Sequence, residues 1–94
     1  MGKIKNFFND VVGTRYRLIG EDMDLLMASG AVRRHAIKFE KFDKVEDVKG
    51  LAILKFNASD ANWSDISAEL EKVFELIPLT GKSNDMFVIR KDRA

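Results

Sequence analysis

Ile4, Phe7, Phe8, Val11 and Val12 recur at the three- and four-residue spacing of a one-sided helix, which predicts a short N-terminal helix over 1–12 that stops before Gly13. The pattern then changes period. In TRYRLI, Tyr16 and Leu18 alternate with Arg15, Arg17 and Ile19, as in a strand running into Gly20. Glu21, Asp22 and Asp24 supply negative charge at a helix start, Met23, Leu26 and Met27 supply an apolar face, and Gly30 suits the C-terminal cap. From Val32 to Phe42, His35, Ile37 and Phe39 alternate with Ala36, Lys38 and Glu40, and the polar stretch DKVEDVKG leads to a further strand, LAILKF. Ile66, Leu70, Val73, Phe74 and Ile77 predict a helix over Ser64 to Ile77, with Asn62 as N-cap and Pro78 as the stop. The loop LTGKSND leads to a last strand, MFVIRK, and DRA is expected to fray.

After the N-terminal helix the order is strand, helix, strand, strand, helix, strand. Two βα units meeting at a hairpin make the ferredoxin-like, split βαβ arrangement, an α+β sandwich with a four-stranded antiparallel sheet and two helices on one face. Its βαββαβ core spans 14–91. With 94 residues there is room for one core, so 1–94 is read as a single domain. No stretch approaches the ~20 apolar residues of a membrane span, and the opening lacks the apolar block of a signal peptide, so a cytoplasmic location is expected. The chain has no cysteine, which removes disulfides, thiolate metal sites and cysteine nucleophiles.

A net charge of +1 conceals a division between elements. The strand segments carry Arg15, Arg17, Arg33, Arg34, Lys38, Lys41, Lys55, Arg90, Lys91 and Arg93 against only Glu40 and Asp92. The two helices that pack on the sheet carry Glu21, Asp22, Asp24, Asp60, Asp65, Glu69, Glu71 and Glu75 against only Lys72. Alternation assigns faces. With Tyr16, Leu18, Ile37, Phe39, Ala52, Leu54 and Phe56 turned to the helices, the open face carries Arg15, Arg17, Lys38, Lys49, Leu51, Ile53 and Lys55. Such a face attracts an anionic partner, and phosphate contacts would make the affinity salt-dependent. A solvated face that deters edge-to-edge aggregation accounts for the same cations without a ligand.

The segment KGLAILKF, from Lys49 to Phe56, resembles the longer ribonucleoprotein motif of RNA-recognition-motif domains, K/R-G-F/Y-G/A-F-V-x-F/Y. Lys49, Gly50, Ala52 and Phe56 match, Leu54 is a conservative replacement, and LLMASGAV is similar to the family's first helix running into a glycine and the second strand. The resemblance implies a non-enzymatic domain that binds single-stranded nucleic acid, RNA rather than DNA, through the sheet. Arg15, Arg17, Lys38, Lys49 and Lys55 are the nucleic-acid-binding candidates. The family's base-stacking aromatic positions are Leu51 and Ile53 here, and Arg17 stands where the shorter motif usually has an aromatic, so phosphate attraction and guanidinium stacking replace the aromatic platform. Leu51 and Ile53, apolar and ringed by charge, equally suit a protein interface or a homodimer.

No cofactor, metal or catalytic residue is expected. The clustered carboxylates Glu21, Asp22, Asp24, Asp43, Glu46 and Asp47 fall at one sheet edge, where they suit Mg²⁺, but the helix dipole and a polar hairpin explain them more simply. TGKS from Thr80 lacks the first glycine of a phosphate-binding loop, and a helix precedes it instead of following it. His35 has no nucleophile beside it in the sequence, and Trp63 is read as a packing residue. The N-terminal helix, with Lys3, Lys5, Phe7 and Phe8, is read as packing on the core in preference to lying on a membrane.

Overall fold

The computed structural model describes residues 13–79 and 82–93; the helix expected over 1–12 lies outside them. Strand β1 (Thr14–Glu21) leads into helix α1 (Asp22–His35), followed by β2 (Lys38–Lys44) and β3 (Leu51–Ala58). Helix α2 (Asp60–Leu70), β4 (Phe74–Leu79), β5 (Lys82–Arg90) and a short 3-10 turn (Lys91–Arg93) complete the described chain. The fold is α+β with one five-stranded mixed sheet, ordered β2-β3-β1-β5-β4. Neighbours are antiparallel except β1 and β5, which run parallel.

The split βαβ connectivity holds through β3, which lies between β1 and β2. The expected four-stranded antiparallel sheet is corrected at the other side. After α2 the chain takes the outer position as β4, and β5 doubles back between β4 and β1. The cause lies in residues 71–79, expected as the end of a helix. The residue before a proline is disfavoured in helical backbone, so Ile77 is driven to the extended conformation and the helix must end well before it. It ends at Leu70, and Phe74, Glu75, Leu76 and Ile77 alternate buried, exposed, half-buried, exposed. Pro78 sits in β4 at the sheet edge, where a missing N–H is tolerated.

Two further helix boundaries differ from expectation. Ser59, not Asn62, caps α2: its Oγ accepts from the Asn62 backbone N–H at 3.1 Å, while the Ser59 N–H donates to Asn62 Oδ1 at 3.2 Å. This reciprocal box satisfies two otherwise unpaired donors. Gly30 does not end α1, which continues to His35 because Ala31 and Val32 prolong the buried stripe begun by Leu25 and Ala28. Arg33, Arg34 and His35 thus belong to the helix's last turn, where cations offset its dipole, and His35 Nε2 lies 3.0 Å from Glu69 Oε2 on α2. The apolar face assigned to α1 was one step out of phase: Met23, Leu26 and Met27 are exposed. Ile37, expected toward the helices, is exposed between α1 and β2. The tail is not frayed as far as Arg93, which donates to Glu21 at 2.7 Å and to the buried Asp24 at 3.3 Å.

The core lies between the sheet and both helices. Tyr16, Leu18, Ala52, Leu54, Phe56, Met86 and Val88 meet Leu25, Ala28, Val32, Ile66 and Leu70 there. Fully burying a side chain such as Leu18 or Phe56 contributes about 1.5–3 kcal/mol. Tyr16 stacks on Trp63 with centroids 4.5 Å apart, so Trp63 closes this core. Two glycines are required by backbone shape. Gly50 (φ 86°) turns the chain into β3, and Gly13 (φ 74°) leads into β1 so close to β3 that a Cβ would sit 2.5 Å from the Ala58 carbonyl oxygen.

Candidate nucleic-acid interface

The opposite face of the sheet has no helix from the described residues over it, and strand register arranges its side chains in cross-strand rows. Lys38, Asn57 and Arg15 form the first row, across β2, β3 and β1. Lys41, Lys55, Arg17 and Asp85 form the second, across four strands. The third crosses all five: Asp43, Ile53, Ile19, Phe87 and Ile77. Leu51 stands beside Glu21 in the fourth, and Ile89 beside Glu75 two residues beyond Phe87 and Ile77.

This face is divided in charge along the strands. The first two rows carry Arg15, Arg17, Lys38, Lys41 and Lys55 against Glu40 and Asp85. The third and fourth rows are apolar and carry only acids, Asp43, Glu21 and Glu75. Of the residues expected here, Arg15, Arg17, Lys38 and Lys55 come together in the first two rows. Lys49 is exposed in the β2–β3 turn at the other end of the strands. Leu51 and Ile53 are half-buried on β3, in the fourth and third rows.

Sequence reasoning missed several members. A β-bulge between Phe39 and Lys41 breaks the alternation of β2, so Lys41 joins the open face directly opposite Lys55. Straight period-two counting from Phe39 puts Lys41 on the helix side. Ile19 and Asn57 were legible, since they follow Arg17 and Lys55 at the same spacing. Phe87 needed the register of β5, and Ile77 needed a strand where a helix was expected.

Ion pairs shape the basic rows. Arg15 Nε donates to Glu40 Oε2 at 3.1 Å, with the Arg15 side chain 68% exposed. Arg17 meets the buried Asp85 through two hydrogen bonds, one of them 3.1 Å from Nε to Oδ1, and these bonds followed by Asp85's charge raise the guanidinium pKa above its ordinary value. Arg15, Lys38, Glu40 and Asn57 line an open pocket of ≈ 360 Å³. Asn57 Oδ1 is buried beside it and accepts no hydrogen bond from the described residues.

The carboxylates at the fourth-row end are tied to cations. Glu21 and Asp24 share Arg93, and Asp22 lies 3.8 Å from Lys44 Nζ. Glu21's hydrogen bond is the first cause raising the Arg93 guanidinium above its usual range, with Asp24, Glu21 and Asp92 adding their charges. Among the described residues no three His, Asp or Glu side chains come together as a metal site requires. Thr80 and Gly81 of TGKS lie outside the described residues. No protein-family model, curated protein or solved structure matches this chain.

Proposed function

We propose that this is a non-enzymatic binding domain that holds single-stranded nucleic acid on the basic rows of its open face, as a degenerate RNA-recognition-motif-like module. The observation that carries the reading is the row Lys41–Lys55–Arg17, three cations directly opposite one another on neighbouring strands. Like charges in that relation destabilise a sheet; Asp85 pairs with Arg17, Asp43 with Lys41 at 3.0 Å and Glu40 with Arg15, so the acids offset part of the charge of the basic rows. Phosphates laid along the row relieve the repulsion, so the arrangement favours a bound polyanion. Asn57 Oδ1 offers an acceptor to a base amino group or a ribose 2′-hydroxyl in the pocket beside Lys38, and the second of these favours RNA over DNA. β1 and β3, which carry the positions compared with the two ribonucleoprotein motifs, lie side by side. Leu51 and Ile53 give no stacking platform, so affinity rests on phosphates and falls steeply with salt.

The test is fluorescence anisotropy with labelled oligouridine and oligothymidine at low and moderate salt. The expected logarithmic salt slope is about −0.7 per phosphate neutralised, or about −2 for three contacts, with tighter binding of the ribo-oligomer. No binding even at low salt sinks the proposal.

A second reading is favoured by the row Ile53–Ile19–Phe87–Ile77. These side chains span four strands with Ile77 42% exposed, and together with Leu51 they form an apolar centre with a charged rim, the plan of a protein–protein or homodimer interface. Light scattering checks it, since a strict monomer at high concentration removes self-association.

A further inference from the structure

We propose that the pocket between Arg15 and Lys38 reads one base of the bound strand, and that the base is guanine. The inference rests on the nucleic-acid reading and adds to it a base preference that phosphate attraction alone does not supply.

The pocket mixes acceptors with cations, unlike the row of lysines beside it. Asn57 of β3 stands between Lys38 of β2 and Arg15 of β1, its direct partners across the sheet. Neighbouring strands lie about 4.8 Å apart, so an ion pair from β1 to β2 spans about 10 Å and has to cross β3. The Arg15–Glu40 pair makes that crossing, with Nε and Oε2 3.1 Å apart. It holds the Glu40 carboxylate at the pocket and occupies one of its oxygens, leaving Oε1 as an acceptor. Asn57 Oδ1 is the second acceptor. It is buried and receives no hydrogen bond from the described residues, although buried acceptors are almost always paired. The volume of ≈ 360 Å³ falls within the range of ligand pockets, about 300–1,000 Å³.

The cations that border this pair of acceptors are the ones ion pairing leaves over. Arg17 is held by Asp85 and Lys41 by Asp43, whereas Lys38 and Lys55 have no carboxylate partner among the described residues. Lys38 lies directly opposite Asn57, and Lys55 lies two residues along the same face of β3. A strand whose phosphates meet these two lysines passes the pocket on both sides and places the intervening base over Asn57.

Hydrogen-bond pattern then selects the base. Glu40 Oε1 and Asn57 Oδ1 accept, and the guanidinium N–H groups of Arg15 not engaged by Glu40 donate, so the pocket calls for two donors and an acceptor in a ligand. Guanine carries them side by side on its Watson–Crick edge, as the N2 amino group, N1–H and O6. The bonds it makes to the carboxylate and the guanidinium are charge-assisted, which makes them the stronger kind. Uracil has a single N–H between two carbonyl oxygens and so turns a lone pair toward one of the acceptors. Cytosine and adenine each set an accepting ring nitrogen next to their amino group, and that nitrogen faces the second acceptor.

Fluorescence anisotropy at low salt tests this with labelled oligouridine in which one central residue is replaced in turn by guanosine, adenosine, cytidine or inosine. A single guanosine keeps the strand from associating with itself. The guanosine strand is expected to bind about tenfold tighter than all-uridine. Inosine, which is guanine without the N2 amino group, should lose about threefold of that gain, and adenosine and cytidine should stay within about threefold of uridine. Glu40→Gln removes a negative charge and should tighten every strand while shrinking the guanosine-to-uridine ratio to about threefold or less. Asn57→Leu, which fills similar space without an acceptor, should shrink the same ratio. Because each ratio compares two strands on one variant, a loss of folded protein moves both together and leaves it unchanged, and the half-buried, surface-lying Glu40 gives a reading that does not depend on how Asn57→Leu folds. Strands that all bind alike, or a guanosine preference that survives both substitutions, overturn the proposal and leave the nucleic-acid reading standing. Failure of every strand to bind at low salt rejects that reading and this inference with it.

Discussion

The two ends of the open sheet face are built from the same three central strands and differ in what their rows contain. Along β1, Arg15 and Arg17 give way to Ile19 and Glu21; along β3, Asn57 and Lys55 give way to Ile53 and Leu51. Antiparallel pairing then turns a change along the sequence into a change across the sheet, since each strand's basic half is laid beside its neighbour's basic half. Register thus concentrates charge where composition alone shows a nearly neutral chain. The two ends also make opposite demands. The basic rows keep like charges together at a cost to stability and gain from an anion, whereas the apolar rows gain from any dry surface. On the proposed reading the basic end takes an anionic ligand, whereas the apolar end would gain from burial.

The contrast breaks most visibly through substitutions that exchange the demands. Ile19→Asp introduces a carboxylate between Ile53 and Phe87 at the centre of the apolar end. With that end covered by a partner surface, the buried and unpaired charge is expected to cost about 2–3 kcal/mol, measured by urea unfolding. A loss of only a few tenths of a kcal/mol would show that end to be bare. Anion affinity at the other end should not fall by more than the added negative charge explains.

Lys41→Ala with Lys55→Ala tests the basic end in the reverse sense. Two lost phosphate contacts are expected to weaken oligonucleotide binding roughly 20-fold near 0.1 M salt and to flatten the salt slope by about 1.4. Stability should change by no more than a few tenths of a kcal/mol, because relief of the facing cations Lys41, Lys55 and Arg17 is set against loss of the exposed Lys41–Asp43 pair. A variant that binds as before and unfolds more easily would make these lysines structural.

Much of this division was legible wherever period two ran unbroken. Arg15, Arg17, Leu51, Ile53 and Lys55 take their faces directly from TRYRLI and LAILKF, and the buried partners Tyr16, Leu18, Leu54 and Phe56 follow by the same count. What escaped was whatever depends on a break in periodicity or on a distant pairing. The bulge in β2 moved Lys41 by one residue, which in a strand means the other face. Val73, Phe74 and Ile77 sit at spacings that continue the stripe of Ile66 and Leu70 and also suit a strand, and only the restriction imposed by Pro78 separates the two. That β5 lies parallel to β1, inside β4, has no local signature, because it depends on which free edge the last hairpin adds to.

The smallest effect compares the open face with the covered one, through the residue between Arg15 and Arg17. Tyr16 points into the core, and burial, with the charge of Asp60 adding to it, pushes its phenol above the ordinary value of 10.0. The folded chain therefore keeps that proton at pH values where the unfolded chain has released it. Stability from this group is complete below the ordinary tyrosine pKa and declines as pH rises through it toward the higher folded value. Tyr16 is the only tyrosine, so phenolate absorbance reports it alone. Denaturant midpoints followed upward from neutral pH should fall more in the native chain than in Tyr16→Phe, and native phenolate absorbance should appear only above the pH at which the denatured chain shows it. Coincident titration of native and denatured chains would place Tyr16 in water, and with it the alternation that puts Arg15 and Arg17 on the open face.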